Sequence, residues 1–204
     1  MPRAFTDEEQ SRIRASLIDA GRTCFVRYGM RKTTIDDLVR HARIAKGSFY
    51  RFFKNKEALF LELYLQELPA MMKRMYDASF GSTSDVGEAL AGLMREIIHE
   101  METNELARVL LDDPTEMEKF LSSRDYEFFQ AEMLKAYAPV IQQITEAQAR
   151  GELVEGSPQQ LLFAVGLIKI LPLYGDRMAP EVYEAMKEFA PRVISRGLLA
   201  RSNS

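Results

Sequence analysis

The fold of this 204-residue chain is decided by residues 33–53, which read TTIDDLVRHARIAKGSFYRFF. Apolar residues recur three and four positions apart in its first half, as on the buried face of a helix. The two threonines precede Ile35 and an acidic pair, so a hydroxyl can cap this helix where its dipole favours negative charge. A very short helix is expected over 45–53. Two short helices joined by a tight turn predict a helix-turn-helix, because such a helix can enter the major groove of DNA.

Polar residues of this stretch are placed to contact DNA. Lys46 and Ser48 flank the small Gly47 in the first turn of the short helix, where backbone N–H groups can approach phosphates and side chains can reach base edges. The predicted DNA-binding residues are Thr33, Thr34, Arg43, Lys46, Gly47, Ser48, Tyr50, Arg51 and Lys56. Aromatic Phe49, Phe52 and Phe53 are predicted to form the core of this small module and not to stack on bases.

Charge divides the chain into two modules. The net charge is −3, but residues 1–56 hold thirteen Lys and Arg against six Asp and Glu, a net of +7. The remainder holds fourteen against twenty-four, a net of −10. A basic module around the motif favours a phosphate-rich partner, since clustered cations bind the DNA backbone. We therefore predict a DNA-binding domain at residues 1–56 and a second domain at 57–204.

The rest of the chain is also predicted to be helical, which makes the expected fold class all-α. Gly29 is expected to end a first helix, and Asn55 to cap a fourth that Pro69 should kink. The fourth helix would join the amino-terminal three-helix domain to a carboxyl-terminal helical bundle.

Further start and stop signals follow in the acidic half. A helix is expected from Leu106 to Leu111, and Thr115 with Glu118 fits a capping box. A long helix is expected over 126–150, ending at Gly151. Ser157 with Gln160 fits another capping box, with proline at the first helical position, and the last helix should begin near Pro180.

Residues 33–59, TTIDDLVRHARIAKGSFYRFFKNKEAL, resemble the amino-terminal motif of the TetR family of bacterial regulators. The similarity rests on the paired threonines, Ala42, the Lys46-Gly47 pair, the aromatic pair at 49–50, Phe53 and the run at 56–59. The resemblance implies a transcriptional regulator, most often a repressor, whose remaining helices form a ligand-binding and dimerisation domain. The identity of a ligand does not follow from it.

Two residues depart from the family pattern, which often has glycine where Arg43 stands and serine or threonine where Ala45 stands. If the turn requires a positive φ, arginine costs about 1 kcal/mol, and a contact of Arg43 with a phosphate or a guanine would explain its presence. Ala45 offers no capping hydroxyl, so the short helix must depend on packing.

The last two helices, at about 157–175 and 180–199, are predicted to form a homodimer. Residues 161–171 are apolar on nearly every side except at Lys169, so this helix should be buried. Val182, Phe189 and Val193 belong to an apolar stripe on the last helix. Two such helices per subunit suit a four-helix interface, and a two-fold dimer suits a palindromic operator. The alternative is an ordinary monomer core.

The acidic half is rich in methionine and aromatic residues, which often line cavities for apolar molecules. Most of them should be core residues. As the site of a small apolar or aromatic inducer we predict Met75, Met101, Phe129, Met133, Tyr137, Phe163 and Leu167.

Other functional classes find little support in the sequence. No apolar stretch is long enough to cross a bilayer and no secretory leader is evident, so a cytoplasmic protein is expected. Cys24 lies on an apolar stripe, which indicates packing. His99 and Glu102 stand at a possible metal-ligand spacing, but two ligands make a poor site, and neither a metal nor a cofactor is predicted. Residues typical of a catalytic site are missing, which disfavours an enzyme.

The predicted function is therefore a homodimeric, ligand-responsive regulator that binds double-stranded operator DNA and is released by a small-molecule inducer. An alternative is a DNA-binding dimer that recruits a protein partner without a small-molecule ligand.

Overall fold

A computed structural model of the chain describes residues 6–111 and 124–200. These residues are almost entirely helical, with one isolated antiparallel bridge between Leu153 and Leu199. The predicted all-α class is confirmed. None of the described helices combines the length and apolarity needed to span a bilayer. The predicted capping box of Thr115 and Glu118 lies outside the described residues.

The helices follow one another along the chain with short connections. The first four are α1 Asp7–Lys32, α2 Ile35–Ala42, α3 Lys46–Phe49 and α4 Lys56–Ala78. The next four are α5 Val86–Thr103, α6 Glu105–Leu111, α7 Arg124–Ala136 and α8 Ala138–Ala149. The last are α9 Pro158–Gly166, a 3₁₀ helix Leu167–Arg177 and α10 Pro180–Leu198.

Contacts group the described residues into two compact units. The first unit comprises 6–67, 105–111 and 124–132, and the second comprises 68–104 and 133–200. This division differs from the predicted domains, because the start of α4, all of α6 and most of α7 group with the helix-turn-helix. The boundary at 67/68 falls inside the continuous helix α4, one residue before Pro69.

Aromatic side chains pack against one another in the first unit. Phe25 of α1 and Phe60 of α4 meet edge to face, with ring centroids 5.3 Å apart. Tyr64 of α4 contacts Phe129 of α7 in the same manner at 5.6 Å. Cys24 is buried, and burial raises the pKa of its thiol. This cysteine is therefore a packing residue, as predicted.

Local signals position the ends of the helices as the sequence predicts. Gly29 adopts φ 75°, and only three further residues of α1 follow it. The backbone N–H of Ala58 donates to Asn55 Oδ1 at 2.8 Å, so Asn55 caps α4. Gly151 adopts φ 73° just after α8, and the capping box of Ser157 and Gln160 is formed with Pro158 at the start of α9.

The second unit is built around α5, which packs on α9, the 3₁₀ helix and α10. Glu102 of α5 accepts hydrogen bonds from the Tyr183 hydroxyl at 2.8 Å and from Lys187 Nζ at 3.1 Å. Burial and the bond to Glu102 raise the pKa of Tyr183 to about 12. Glu102, which lies at a possible metal-ligand spacing from His99, is therefore hydrogen-bonded to α10. His99 is exposed.

The single long helix predicted over 126–150 is wrong, because the structure divides it into α7 and α8 at Tyr137. Pro139 stands at the start of α8 and has no N–H to donate to the preceding turn. The predicted helix over 157–175 also changes character, because α9 ends at Gly166 and a 3₁₀ helix containing Pro172 continues the chain.

Candidate nucleic-acid interface

Helix α2 begins with a reciprocal cap. The backbone N–H of Asp37 donates to Thr34 Oγ1 at 3.1 Å, and the backbone N–H of Thr34 donates to Asp37 Oδ2 at 3.1 Å. Hydrogen bonds from Thr34 hold the pKa of Asp37 below its usual range. The predicted capping role is confirmed. Thr34 stays exposed at the start of the motif, and its contact with phosphate remains a prediction.

The turn between α2 and α3 contains a residue in the left-handed conformation, as the sequence analysis considered for Arg43. Arg43 adopts φ 56° and ψ 43°, which makes it the positive-φ residue other than glycine among those described. Its backbone N–H donates to Arg40 O at 3.3 Å, and that of Ile44 donates to Val39 O at 3.0 Å. The strained residue therefore closes α2 and presents an exposed guanidinium beside α3.

Helix α3 is held by packing, as its alanine cap predicts. Ala45 makes no side-chain capping bond. Phe49 and Phe53 are 0% and 4% exposed, and their rings lie 5.9 Å apart. The guanidinium of Arg14 in α1 covers the Phe53 ring at 4.9 Å. The predicted core role of Phe49 and Phe53 is confirmed, while Phe52 is half-buried.

The opposite side of α3 is open to solvent. Lys46, Gly47, Tyr50 and Arg51 are exposed, and Ser48 is half-buried. No atom lies within 4 Å of the position that a Cβ on Gly47 would occupy. A phosphate or base edge can therefore approach this turn closely. The DNA contacts of these five residues remain predictions, and their exposure favours them.

An ion pair crosses from α3 to α2 on this exposed side. Lys46 Nζ lies 2.9 Å from Asp36 Oδ2, and this bond raises the pKa of Lys46. Sequence reasoning missed Asp36, because a solvent-exposed acidic residue in the first turn of a helix is explained by the helix dipole alone. Binding of DNA by Lys46 would have to displace this carboxylate.

Thr33 does not belong to the exposed set. Its side chain is 1% exposed, and its hydroxyl donates to Gly29 O at 2.7 Å and Cys24 O at 3.1 Å. The predicted DNA contact of Thr33 is therefore corrected: the residue ties the end of α1 to the start of α2.

Lys56 likewise has a role inside the protein. Its half-buried ammonium donates to Met30 O at 2.6 Å and Thr33 O at 3.0 Å, with Arg31 O at 3.4 Å. These bonds occupy the three N–H donors of the ammonium group. These bonds compete with the predicted phosphate contact of Lys56, which remains a prediction. Lys56 of α4 binds the carbonyl groups left unpaired where α1 ends at its glycine kink.

The predicted inducer residues have varied environments. In the second unit Met75 is buried, while Met101, Met133 and Tyr137 are half-buried. Burial raises the pKa of Tyr137 to about 12. The remaining three lie elsewhere, namely Phe129 in the first unit, and Phe163 and Leu167 at the surface of the second unit with exposures of 72% and 62%. Phe163 and Leu167 are therefore surface residues of the isolated chain, and their contact with an inducer remains a prediction.

Comparison with known proteins places this site in context. Residues 17–63 match the family model described as bacterial regulatory proteins, tetR family. The HTH-type transcriptional regulator YhgD of Bacillus subtilis is 36% identical over 62 residues, which are 30% of this chain and 32% of YhgD. The HTH-type transcriptional repressor Rv1474c of Mycobacterium tuberculosis is 29% identical over 121 residues, 56% of this chain and 59% of that protein. The matched segments thus span less than two thirds of either relative.

Solved structures share the fold over most of the chain. A TetR family regulator from Shewanella sp. PV-4 has a TM-score of 0.69 at 17% identity, covering 93% of this chain and 99% of that one. The complex of RolR with resorcinol has a TM-score of 0.66 at 14% identity, with coverage of 96% and 92%. The complex of Bacillus subtilis FadR with stearoyl-CoA has a TM-score of 0.64 at 19% identity, with coverage of 90% and 98%.

Proposed function

We propose that this chain, whose residues 17–63 match the tetR family of bacterial regulatory proteins, is a homodimeric transcriptional repressor of a palindromic operator. One observation carries the proposal. The first turn of α3 presents Lys46, Gly47 and Tyr50 to solvent, while Phe49 and Phe53 fix the same helix to the core. A rigidly held helix with an open polar side in a module of net +7 is suited to the major groove.

Operator binding tests the DNA contacts directly. Lys46→Ala and Tyr50→Phe should each weaken binding to all sequences, because a lost phosphate contact carries no sequence information. Lys46→Ala should also lower the salt dependence of the affinity by about one ion. Lys73→Ala is a matched control, since this exposed lysine lies in the second unit and pairs with Asp77. Wild-type affinity in both α3 variants would refute the assignment.

Homodimerisation is proposed through the last helices. Large apolar side chains stand exposed along α9, the 3₁₀ helix and α10, namely Phe163, Leu167, Ile170, Leu173, Tyr174, Val182, Phe189 and Val193. Leu161, Val165 and Ile168 are buried within the chain itself. Contact with a second copy would cover the exposed set, which explains why a helix predicted to be buried is only half covered here.

Light scattering of the purified chain tests the dimer. A mass of two chains is expected at micromolar concentration, and Phe189→Glu should reduce it to one because a buried unpaired charge is costly. Phe128→Glu is the control, since Phe128 of α7 is as exposed as Phe189 but lies outside the last helices. A monomeric wild-type chain would overturn this part of the proposal.

The second part of the proposed function is release from DNA by a small apolar or aromatic ligand. Two solved proteins of the same fold hold resorcinol and stearoyl-CoA. In this chain Met75, Met101, Met133 and Tyr137 provide adaptable apolar surface and one phenol. A ligand that binds better to a conformer with another half-site spacing would shift the population away from DNA. Pro69, which lies within α4, is proposed as the place of the bend.

A thermal-shift screen of apolar and aromatic compounds tests ligand binding. A hit should raise the melting temperature, weaken operator binding and lose its effect in Met133→Ala. Absence of any stabilising compound, together with capture of a defined protein partner on operator DNA, would instead support the alternative of a dimer that recruits a protein.

A further inference from the structure

A cleft of about 430 Å³ opens in the first unit between the end of α1 and helix α6. Its walls are residues 25–32 of α1 and Glu105, Arg108 and Val109 of α6. None of these residues belongs to the predicted DNA contacts or to the predicted inducer site. The volume is in the range of pockets that hold small organic molecules.

The glycine kink of α1 lies in one wall of this cleft. Gly29 adopts φ 75°, and no atom lies within 4 Å of the position that its Cβ would occupy. A side chain here would be strained and would project into open space. The backbone around Gly29 is therefore accessible to a bound molecule.

The floor of the cleft is apolar. Phe25, Met30 and Val109 line it and are 0%, 8% and 7% exposed. Tyr28 is 38% exposed, and the guanidinium of Arg27 lies 5.4 Å from the centroid of its ring. The accessible edges of Met30 and Val109, together with the partly exposed Tyr28 ring, can contact an acyl or aromatic body.

Four cations surround this apolar floor. Arg27, Arg31, Lys32 and Arg108 line the cleft together with a single carboxylate, that of Glu105. Within the described parts of the chain, Arg27, Lys32 and Arg108 form no ion pair. Clustered like charges repel one another, and an anion bound among them relieves this repulsion.

We propose that this cleft binds an amphipathic organic anion, a carboxylate or phosphate ester carried on a small acyl or aromatic body. The apolar floor distinguishes this ligand from DNA, whose phosphodiester backbone would leave that surface uncovered. The cationic rim distinguishes it from the neutral apolar molecules expected in the second unit.

Occupancy of the cleft should lower operator affinity, and this consequence rests on the proposed DNA-binding function. The bound anion offsets part of the positive charge of the amino-terminal module. It also contacts Met30 and Arg31, whose carbonyl oxygens accept the hydrogen bonds of Lys56.

Calorimetric titration of the full chain without DNA tests the site. Octyl phosphate below its micelle concentration is expected to bind once per chain, whereas octanol and inorganic phosphate should each bind about tenfold more weakly or worse. Arg27→Gln and Arg108→Gln should each weaken octyl phosphate binding by about tenfold. Both arginines are exposed, so these variants should fold normally.

Arg12→Gln is the matched control, because it removes an exposed arginine from the same helix about 22 Å away along its axis. It should bind octyl phosphate like the wild type. Methyl NMR of the methionines locates the probe: the Met30 signal should shift and the Met178 signal should not. Equal binding of octanol, wild-type affinity in both cleft variants, or an unmoved Met30 signal would overturn the proposal.

Operator binding with and without octyl phosphate forms a separate arm. A fall in affinity that is lost in Arg108→Gln supports the coupling, and an unchanged affinity refutes it. Because the calorimetric titration contains no DNA, a failure of operator binding does not affect the measured binding of octyl phosphate. Failure of the calorimetry likewise leaves the proposed repressor function untouched.

Discussion

Replacing Arg43 separately with glycine and with alanine should give two proteins of different stability. Both changes remove the guanidinium, but only glycine removes the strain of a side chain at φ 56° and ψ 43°. The left-handed conformation costs a residue with a Cβ about 1–2 kcal/mol. The greater freedom of glycine in the unfolded chain opposes this by about 0.5–1 kcal/mol. Arg43→Gly should therefore be about 1 kcal/mol more stable than Arg43→Ala.

Urea unfolding followed by circular dichroism measures this difference in free energy. In thermal unfolding of a protein of this size, the same difference should shift the melting temperature by about 2–4 °C. Arg43→Ala itself should lie within about 0.5 kcal/mol of the wild type, because the exposed side chain makes no hydrogen bond or ion pair with the described residues. Equal stability of the glycine and alanine variants would refute the assignment of strain to this turn.

Operator titrations of the same two variants address the role of the guanidinium. Loss of a phosphate contact should weaken binding to every sequence and lower the slope of log affinity against log salt by about 0.9. Loss of a guanine contact should instead weaken the operator alone. The reasoning fails if both variants keep the wild-type affinity and slope.

Three further predictions concern single side chains. Lys56→Met should destabilise the fold by about 2 kcal/mol in urea unfolding, because carbonyl groups lose a charged donor, whereas Lys32→Met, at an exposed position, should change the stability little. Asp36→Asn should raise operator affinity several-fold in gel-shift titrations, since Lys46 loses its competing carboxylate; an unchanged affinity would show that Lys46 does not bind DNA. Burial raises the pKa of Tyr137 to about 12 in the fold, whereas the phenol ionises near pH 10 when the chain is unfolded. The contribution of Tyr137 to the free energy of unfolding is therefore fully present at about pH 9 and decreases by about 1.4 kcal/mol by about pH 11. Tyr137→Phe should remove this part of the pH dependence.

The ends of the helices could be predicted because their signals are local. Thr34, Asn55 and Ser157 each accept a backbone N–H three residues ahead, so the sequence around each contains all that the cap requires. Gly29 and Gly151 adopt the positive φ that glycine tolerates. Such helix ends can therefore be predicted from a few neighbouring residues.

The breaks in the later helices were harder to predict because apolar periodicity runs through them. The pattern over 126–150 continues across Tyr137, although Pro139 removes a donor there. At 157–175 the apolar residues surround the helix, and which of them face the chain depends on tertiary packing. Val165 is buried and Phe163 is 72% exposed, a difference that periodicity cannot supply.

In the candidate DNA site, too, some features follow from local sequence and others from tertiary contacts. Exposure of Lys46, Gly47 and Tyr50 follows from the short amphipathic helix itself. The inward roles of Thr33 and Lys56 arise from a tertiary contact, since Lys56 binds a carbonyl 26 residues away in the chain. No pattern of residue types distinguishes such a lysine from one that binds phosphate.

The bonds of Lys56 set a rule for building chimeric regulators. Lys56 at the start of α4 holds the end of α1, so a helix-turn-helix segment transplanted without it would leave the Met30 and Thr33 carbonyl groups without their donor. A cut placed directly after the motif would also divide the core in which Phe60 meets Phe25. A fusion joint should therefore fall beyond Glu67, and the chimera should also keep α6 and residues 124–132, which belong to the same compact unit.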